Sequence, residues 1–309
     1  VVDFLREVGG EACVIPPEVD GEEMSLEEDQ ESARKAEGLD GYYVVEPFRP
    51  EEEGGENCVV TLSDFATSTQ QASGSSPVRV ATCVANDRLT PADWFQDTRH
   101  LAFTLDPPAA HAPGDVLHVL PENSAAEVDR LLSLLPPSIR SSADSPMTVS
   151  TSASVEPLIR PTHAWPSPTT LRSLLLTSAD LGYTGVTVDT LHALSAHVDL
   201  SHPQGPLQYS KLRSLGSAEG SRLCRSYLTS EKRTISDVLY DFTSVSFPSV
   251  SALLGALRPM RAREFSIASC EEDGRVELCV AVKEGTTKLG REYIGGCSRY
   301  FTGMEPGAG

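Results

Sequence analysis

The hydrophobic period of this chain changes twice, and those changes limit its architecture more than any single motif. "PVRVATCVAND" puts Val78, Val80, Thr82 and Val84 on one face, and "HLAFTLD" does the same for Leu101, Phe103 and Leu105. Between them "DRLTPADWFQDT" has turn chemistry. "APGDVLHVLPEN" adds another strand, fed by a Pro113-Gly114-Asp115 turn and stopped at Pro121. Period-two alternation punctuated by turns argues for antiparallel strands in a small barrel. In "ENSAAEVDRLLSLL" the period becomes helical, with Ser124 placed to cap a helix carrying Val128, Leu131, Leu132 and Leu135. "SSADSPMTVSTSASVEPLIRP" is polar and punctuated by proline. "SPTTLRSLLLTSADLG", "TVDTLHALSAHV", "SRLCRSYLTSE", "TISDVLYDF" and "PSVSALLGAL" then read as further helices. Strands return with "REFSIASC" and "RVELCVAVK", the latter aligning Val276, Leu278, Val280 and Val282. "IGGCSRYF" turns a glycine pair into a short helix. The order predicts an α+β chain: an antiparallel β-barrel begun over 77–121, interrupted by an all-helical connecting domain over 122–257, and continued over 258–309.

Composition narrows what such a chain does. The 309 residues carry a net charge of −19, and residues 1–56 hold 18 acidic against 4 basic residues, leaving the remainder nearly balanced. This acidic stretch is short of large apolar residues and is expected to be a disordered linker within a segment 1–76. "VVDFLREV" at its start reads as the last turns of a helix, "NCVVTL" as a short strand, and "STQQASGSS" as a second flexible stretch. With no basic face to release counterions, nucleic acid is excluded as a phosphate-bound partner. Seven scattered cysteines without a C-x-x-C pair argue for a reducing compartment, and against a disulfide framework or a zinc site. No apolar run reaches membrane-spanning length. Val1 stands where a methionine would start a chain and "PGAG" ends it, so both ends read as cut.

Several short stretches have the makings of a ligand site. Gly295-Gly296-Cys297-Ser298 follows a strand and opens a helix, where glycines admit a ligand to the backbone and the first N–H groups attract phosphate. Arg263-Glu264-Phe265-Ser266 crowds a cation, a ring and a hydroxyl into one strand; alone it reads as an edge arginine and a core phenylalanine. Arg233, in "EKRTISDVL", sits at a helix start, where a cation is electrostatically misplaced unless an anion faces it. Cys297 has no histidine near it in sequence and reads as a small packed residue rather than a nucleophile.

In combination these pieces resemble the FAD-binding half of the cytochrome P450 reductase-like diflavin reductases. They supply the family's R-x-[YF]-S strand (Arg263, Phe265, Ser266) and its G-x-[CA]-[ST] helix start (Gly295 to Ser298). They also supply a "PGD" strand ending in P-x-N, at Pro113 to Asp115 and Pro121 to Asn123. The resemblance covers roughly residues 77–307 and implies a ferredoxin-reductase-like barrel. "WFQDTRHLAF", "PENSAAEV" and "KRTISDVLYDF" bring it nearest to the cytosolic type that feeds electrons from NADPH through FAD and FMN to an iron–sulfur protein in cluster assembly. P450 reductases, methionine synthase reductases and sulfite reductase flavoproteins share the general motifs.

The resemblance implies a role for each residue. Arg263 and Arg233 would meet the FAD pyrophosphate, beside Glu264 on the same strand. Phe265 would stack on the isoalloxazine, and Ser266 would act catalytically by hydrogen-bonding near the reactive N5. Cys279, Val280 and Ala281 would line the flavin edge through their backbone, and Gly295, Gly296, Cys297 and Ser298 would cradle the pyrophosphate. Where many relatives carry an aromatic after the strand glutamate, this chain has Gly285 after Glu284. FMN and NADPH would bind in domains outside the chain, with "VVDFLREV" as the end of the flavodoxin-like, FMN-binding one; the chain alone is expected to hold FAD weakly or not at all and to oxidise no NADPH. The expected location is the cytoplasm. A different class of reading also stands: a non-enzymatic remnant whose helical block and acidic segment form an interaction module.

Overall fold

The computed structural model describes residues 25–36, 43–48, 79–151, 165–270 and 274–307. In chain order they form α1 (Leu26–Ala36), β1 (Tyr43–Pro47), β2 (Ala81–Arg88), β3 (Thr98–Leu105), β4 (Val116–Val119), α2 (Ala125–Leu134), α3 (Pro137–Ser141), β5 (Pro146–Thr151), β6 (Thr169–Thr170), α4 (Leu171–Thr177), α5 (Val188–Ser195), α6 (Gly205–Gly216) and α7 (Ser221–Cys224). A π-helical turn, Arg225–Ser230, continues α7. Then come α8 (Ile235–Asp241), α9 (Val250–Ala256), β7 (Arg263–Ser266), β8 (Val276–Ala281), β9 (Glu284–Thr286), β10 (Glu292–Ile294) and α10 (Gly296–Gly303). "VVDFLREV", "NCVVTL" and "STQQASGSS" lie outside the described residues.

The strands are antiparallel, as the alternation predicts, but among the described residues they do not close into a barrel. β2-β3-β8 form one sheet, β4-β7 a second and β9-β10 a third. The first two meet at a single bridge, Ile267 to Leu278. Leu101, Phe103, Val276, Leu278 and Val280 pack there with Cys297 and Phe301 of α10 in one core. The alternating valines of the first strand face outward: Val80 and Val84 are 43% and 40% exposed, while Cys83 is buried. Period two separates two faces without naming the inner one, and a register shift between Cys83 and Ala85 breaks the alternation. α10 packs on the Cys83 side, which decides the matter.

The interrupting block has its own, larger core, built on Leu131, Leu171, Leu174, Leu191, Leu212, Val238 and Leu253. Burying each such side chain stabilises by about 1.5–3 kcal/mol. The caps are where the sequence puts them. Ser124 and Glu127 form a reciprocal capping box on α2, Thr234 and Asp237 do so on α8, and Ser249 caps α9.

Two expectations are corrected. The block is not all helical: "PMTVST" forms β5, which pairs with β1 on one side and β6 on the other. Nor is the acidic segment uniformly a disordered linker. β1 runs antiparallel to β5 from Tyr43↔Thr151 to Pro47↔Met147, and buried Tyr43 meets Trp165 edge-on at 6.1 Å. Gln30 of α1 is buried, and its amide donates to the carbonyls of Ser195 and Val198 where α5 ends. Acidity disfavours burial only on the faces that carry it; Gln30 and Tyr43 are buried places where this segment docks.

Candidate functional site

The Pro-Gly-Asp turn builds the strand pair that carries Arg263. Gly114 has φ +94°, a left-handed value that suits glycine, and the Asp115 carboxylate accepts the Ala112 N–H at 2.9 Å. Gly114 then donates to the Ile267 carbonyl, and Ile267 donates back to Asp115. This fixes β4 against β7 in the register Val116↔Ser266, Leu117↔Phe265, His118↔Glu264 and Val119↔Arg263.

The P-x-N end of β4 sews that pair to the helical block. The Asn123 side-chain amide donates to the carbonyls of Leu175 and Ala179, both at 2.7 Å, and its backbone N–H to Leu176. Leu175 and Leu176 lie in the last turn of α4, where carbonyls have no acceptor role inside the helix, and Ala179 follows just beyond it. The next residue, Asp180, is buried and reaches Arg263. One Arg263 nitrogen lies 3.3 Å from the Asp180 carboxylate and 2.9 Å from the Thr184 hydroxyl, and another donates to the Arg261 carbonyl at 2.6 Å. Asp180 in turn accepts from Gly182 N–H and the Thr184 hydroxyl. Only glycine fits at 185, where a Cβ would come within 2.0 Å of the Asp180 carbonyl oxygen.

Along β7 the side chains alternate. Arg263 and Phe265 are half-buried, while Glu264 and Ser266 are exposed. Phe265 stands edge-on to buried Phe301, with ring centroids 5.2 Å apart, so β7 is locked to α10. Gly295 precedes α10 in extended conformation and gives it no side-chain cap. Its N–H donates to Lys283, its carbonyl accepts from Arg299, and the Ser298 hydroxyl accepts from Lys283 N–H at 2.8 Å. The N–H groups of Gly296, Cys297 and Ser298 have no acceptor among the described residues. A Cβ on Gly296 would meet nothing within 4 Å, so the approach to them is open.

Burial pushes the Cys297 thiol up to about 11, and the nearby Arg263 charge only partly offsets this. Cys297 is therefore a neutral packed thiol, and the helix start lies within the field of the Arg263 guanidinium. Tyr300, on the same helix, is pushed up to about 12, chiefly by burial and then by the charge of Glu122. An uncapped helix start and a guanidinium acting together suit a diphosphate.

Two of the expected residues are placed differently. Val280 faces the core at 5% exposure. Val282 N–H donates to the carbonyl of Asp97, just ahead of β3, whereas the Glu277 carbonyl accepts from Ala268 on the other side. Alternation then turns the backbone groups of Val280 toward β3 and those of Cys279 and Ala281 toward the edge that β3 does not cover. Cys279 and Ala281 thus offer backbone there and Val280 does not. Arg233 is only 8% exposed and pairs with Asp241 at 2.6 Å, its guanidinium 5.0 Å from the Tyr227 ring, whose hydroxyl donates to the same carboxylate. The anion that answers this cation lies at the far end of its own helix, so the positional argument for a phosphate partner falls.

Sequence reading missed Asp180 and Thr184, which hold Arg263 across 83 and 79 positions. It also missed a cluster at the junction of the helical block and the β9–β10 hairpin. Asp237 is 4% exposed and accepts from Arg130 of α2, from Arg291 ahead of β10 and from Thr234. Burial works against its ionisation, yet these donors outweigh it and hold its carboxyl below the usual carboxylate range. Arg299 of α10 pairs with Glu127 of α2 nearby. Among the described residues no group of His, Cys, Asp and Glu is arranged to hold a metal ion, and no helix is long and apolar enough to cross a membrane.

Residues 73–300 match the FAD binding domain family. Curated relatives named NADPH-dependent diflavin oxidoreductase 1 align over most of the chain. The protein of Cryptococcus neoformans var. neoformans serotype D is 31% identical over 242 residues, covering 74% of this chain and 36% of the relative. That of Emericella nidulans is 31% identical over 250 residues, with 74% and 36% covered. That of Mus musculus is 30% identical over 235 residues, with 74% and 37% covered. The chain thus spans little more than a third of the length of these relatives.

Proposed function

The chain belongs to the FAD binding domain family, and from that membership we propose that it is the flavin-holding region of an NADPH-dependent diflavin reductase that delivers electrons to an iron–sulfur protein. FAD, when bound, supplies the exchange between hydride and single electrons; the chain supplies position and electrostatics. Arg263 and the open N–H groups of Gly296, Cys297 and Ser298 bind the diphosphate. Phe265, backed by Phe301, presents its ring to the isoalloxazine. Ser266, exposed at the end of β7, directs its hydroxyl to the reactive nitrogen, and Glu264 stays on the solvent side of the strand. Cys279 and Ala281 offer edge backbone to the flavin ring.

The observation that carries this reading is the Phe265–Phe301 contact, because it brings the strand with the cation and the helix with the uncapped amides onto one core. Among the described residues, the free thiols of Cys83, Cys224, Cys279 and Cys297 accord with a cytoplasmic setting.

Equilibrium dialysis of the 309-residue chain against FAD tests the site. Arg263→Gln is expected to weaken binding by about tenfold or more, as loss of a charge-assisted pair implies. An unchanged affinity removes Arg263 from the site. The acceptor is tested in a protein carrying this chain together with FMN and nicotinamide modules. NADPH-driven reduction of an iron–sulfur protein should outpace that of cytochrome or cobalamin acceptors, and the reverse order assigns the chain to another diflavin reductase type.

A further inference from the structure

The loop between β2 and β3, residues 89–97, turns three large apolar side chains to solvent. Leu89 is 58% exposed, Trp94 55% and Phe95 86%, and the centroids of the two rings lie 5.0 Å apart. The loop that carries them is tightly held. The Arg88 guanidinium donates to the carbonyls of Thr90, Pro91 and Trp94 at 3.0, 3.0 and 3.1 Å. The Thr90 hydroxyl donates to the Gln96 carbonyl at 2.7 Å and accepts the Thr98 N–H at 3.1 Å. The Gln96 amide donates to the carbonyls of Asp97 and Val282, which ties the loop to the residue after β8.

An apolar tip that is ordered in advance loses little entropy on docking, and aromatic side chains clear of charge are typical of interface cores. Arg88 is committed to carbonyls and Asp97 is buried against Arg99, so Asp93 is the one exposed charge in 89–97. The size of the patch selects its occupant. With about 150–250 Å² for a whole aromatic side chain, the exposed parts of Leu89, Trp94 and Phe95 come to roughly 400 Å². A free partner, a second copy included, needs about 800 Å² on each side. A covalently joined module meets the patch at an effective concentration of about millimolar, and a smaller contact holds it.

The last described residues run along the strand that leads into this loop. The Asn86 amide donates to the carbonyls of Phe301 and Met304, and Gly307 N–H donates to Cys83. Cys83 and Leu89 are six residues apart, about 20 Å along a strand. α1 and β1, by contrast, pack on the helical block. We propose that Leu89, Trp94 and Phe95 are a docking surface for the module joined after residue 307, which on the reading above is the one that binds the nicotinamide nucleotide. Thr98 pairs with Ala281, whose backbone that reading gives to the flavin ring, so a module seated on the tip stands beside the flavin.

Hydroxyl-radical footprinting read by mass spectrometry tests this without any substitution. Trp94 and Phe95 should label strongly in the 309-residue chain and about fivefold less or lower in the longer protein that carries the following module. In that protein Trp94→Ser with Phe95→Ser should speed protease cleavage between the chain and the module by about tenfold or more. The thermal midpoint of the 309-residue chain should barely move, because both side chains are exposed. Equal labelling in the two proteins overturns the proposal. So does protection that persists when the longer protein is ended at residue 309, that rises with concentration of the 309-residue chain, or that needs phosphatidylcholine vesicles. Failure here is separable from failure of the flavin reading. If the chain binds FAD and the tip stays labelled, only the docking surface is wrong; if FAD does not bind and the tip is protected, only the flavin reading falls.

Discussion

Arg263 makes three hydrogen-bonding contacts within the chain, and two of them go to Asp180 and Thr184 on one loop of the helical block. A guanidinium held at two nitrogens is preorganised, so less side-chain entropy is lost when it meets a ligand. Asp180→Asn is therefore expected to lower FAD affinity by about threefold to tenfold, with the thermal midpoint moving far less than the affinity. Asp180→Glu should recover part of the binding if orientation is the cause. Equal losses in stability and affinity would reduce Asp180 to a packing residue. The strand residues of this site were legible because an arginine, a ring and a hydroxyl lie within four positions. Asp180 was not legible, since nothing local links it to a strand 83 positions away. Lys232 and Arg233 show a different limit: adjacent cations look alike in sequence, yet with Lys232 at a left-handed φ of 48° its ammonium lies over the Tyr183 and Tyr293 rings while Arg233 pairs with Asp241.

Helices with a hydroxyl cap and an apolar stripe, α2, α8 and α9 among them, lie where the pattern predicts. α6 was not anticipated: "GPLQYSKLRSLG" mixes glycine, serine and lysine with its buried Tyr209, Leu212 and Leu215, and tertiary burial selects it rather than periodicity. β5 escaped because its principal partner, β1, lies in the segment that composition marks as linker. Between elements, Asp237 is the tie that joins α2, α8 and the β9–β10 hairpin. Asp237→Asn should destabilise at neutral pH by about 1–3 kcal/mol, since two partly exposed arginines lose a buried charged acceptor. The native carboxyl titrates below its unfolded value, so its stabilisation is complete above about pH 4 and is lost as pH falls through the native value. Denaturant melts of the two proteins should accordingly converge in acid, and a gap that persists at low pH would place the effect in packing.

On the scale of the whole molecule, the described residues form two cores. The helical block buries most of the large side chains, and the sheets share a smaller core completed by α10. Period changes in the sequence foretold this division, whereas sheet closure depends on pairings that no local pattern encodes. The early segment belongs to the larger core. Gln30 satisfies two carbonyls at the end of α5, and buried Tyr209 donates its hydroxyl to Asp29 at 2.6 Å. Gln30→Ala, which strands those carbonyls, should cost about 1–3 kcal/mol. Amide exchange in α1 should quicken more than in β3, and uniform quickening would mean that α1 has no local hold.

The pairing of β1 with β5 also has a mechanical meaning. Any module joined ahead of residue 25 is leashed to the helical block, not to the sheets that carry Arg263 and Phe265. Its swing is then measured from that mooring, and the acidic composition that looks like slack rope contains two knots.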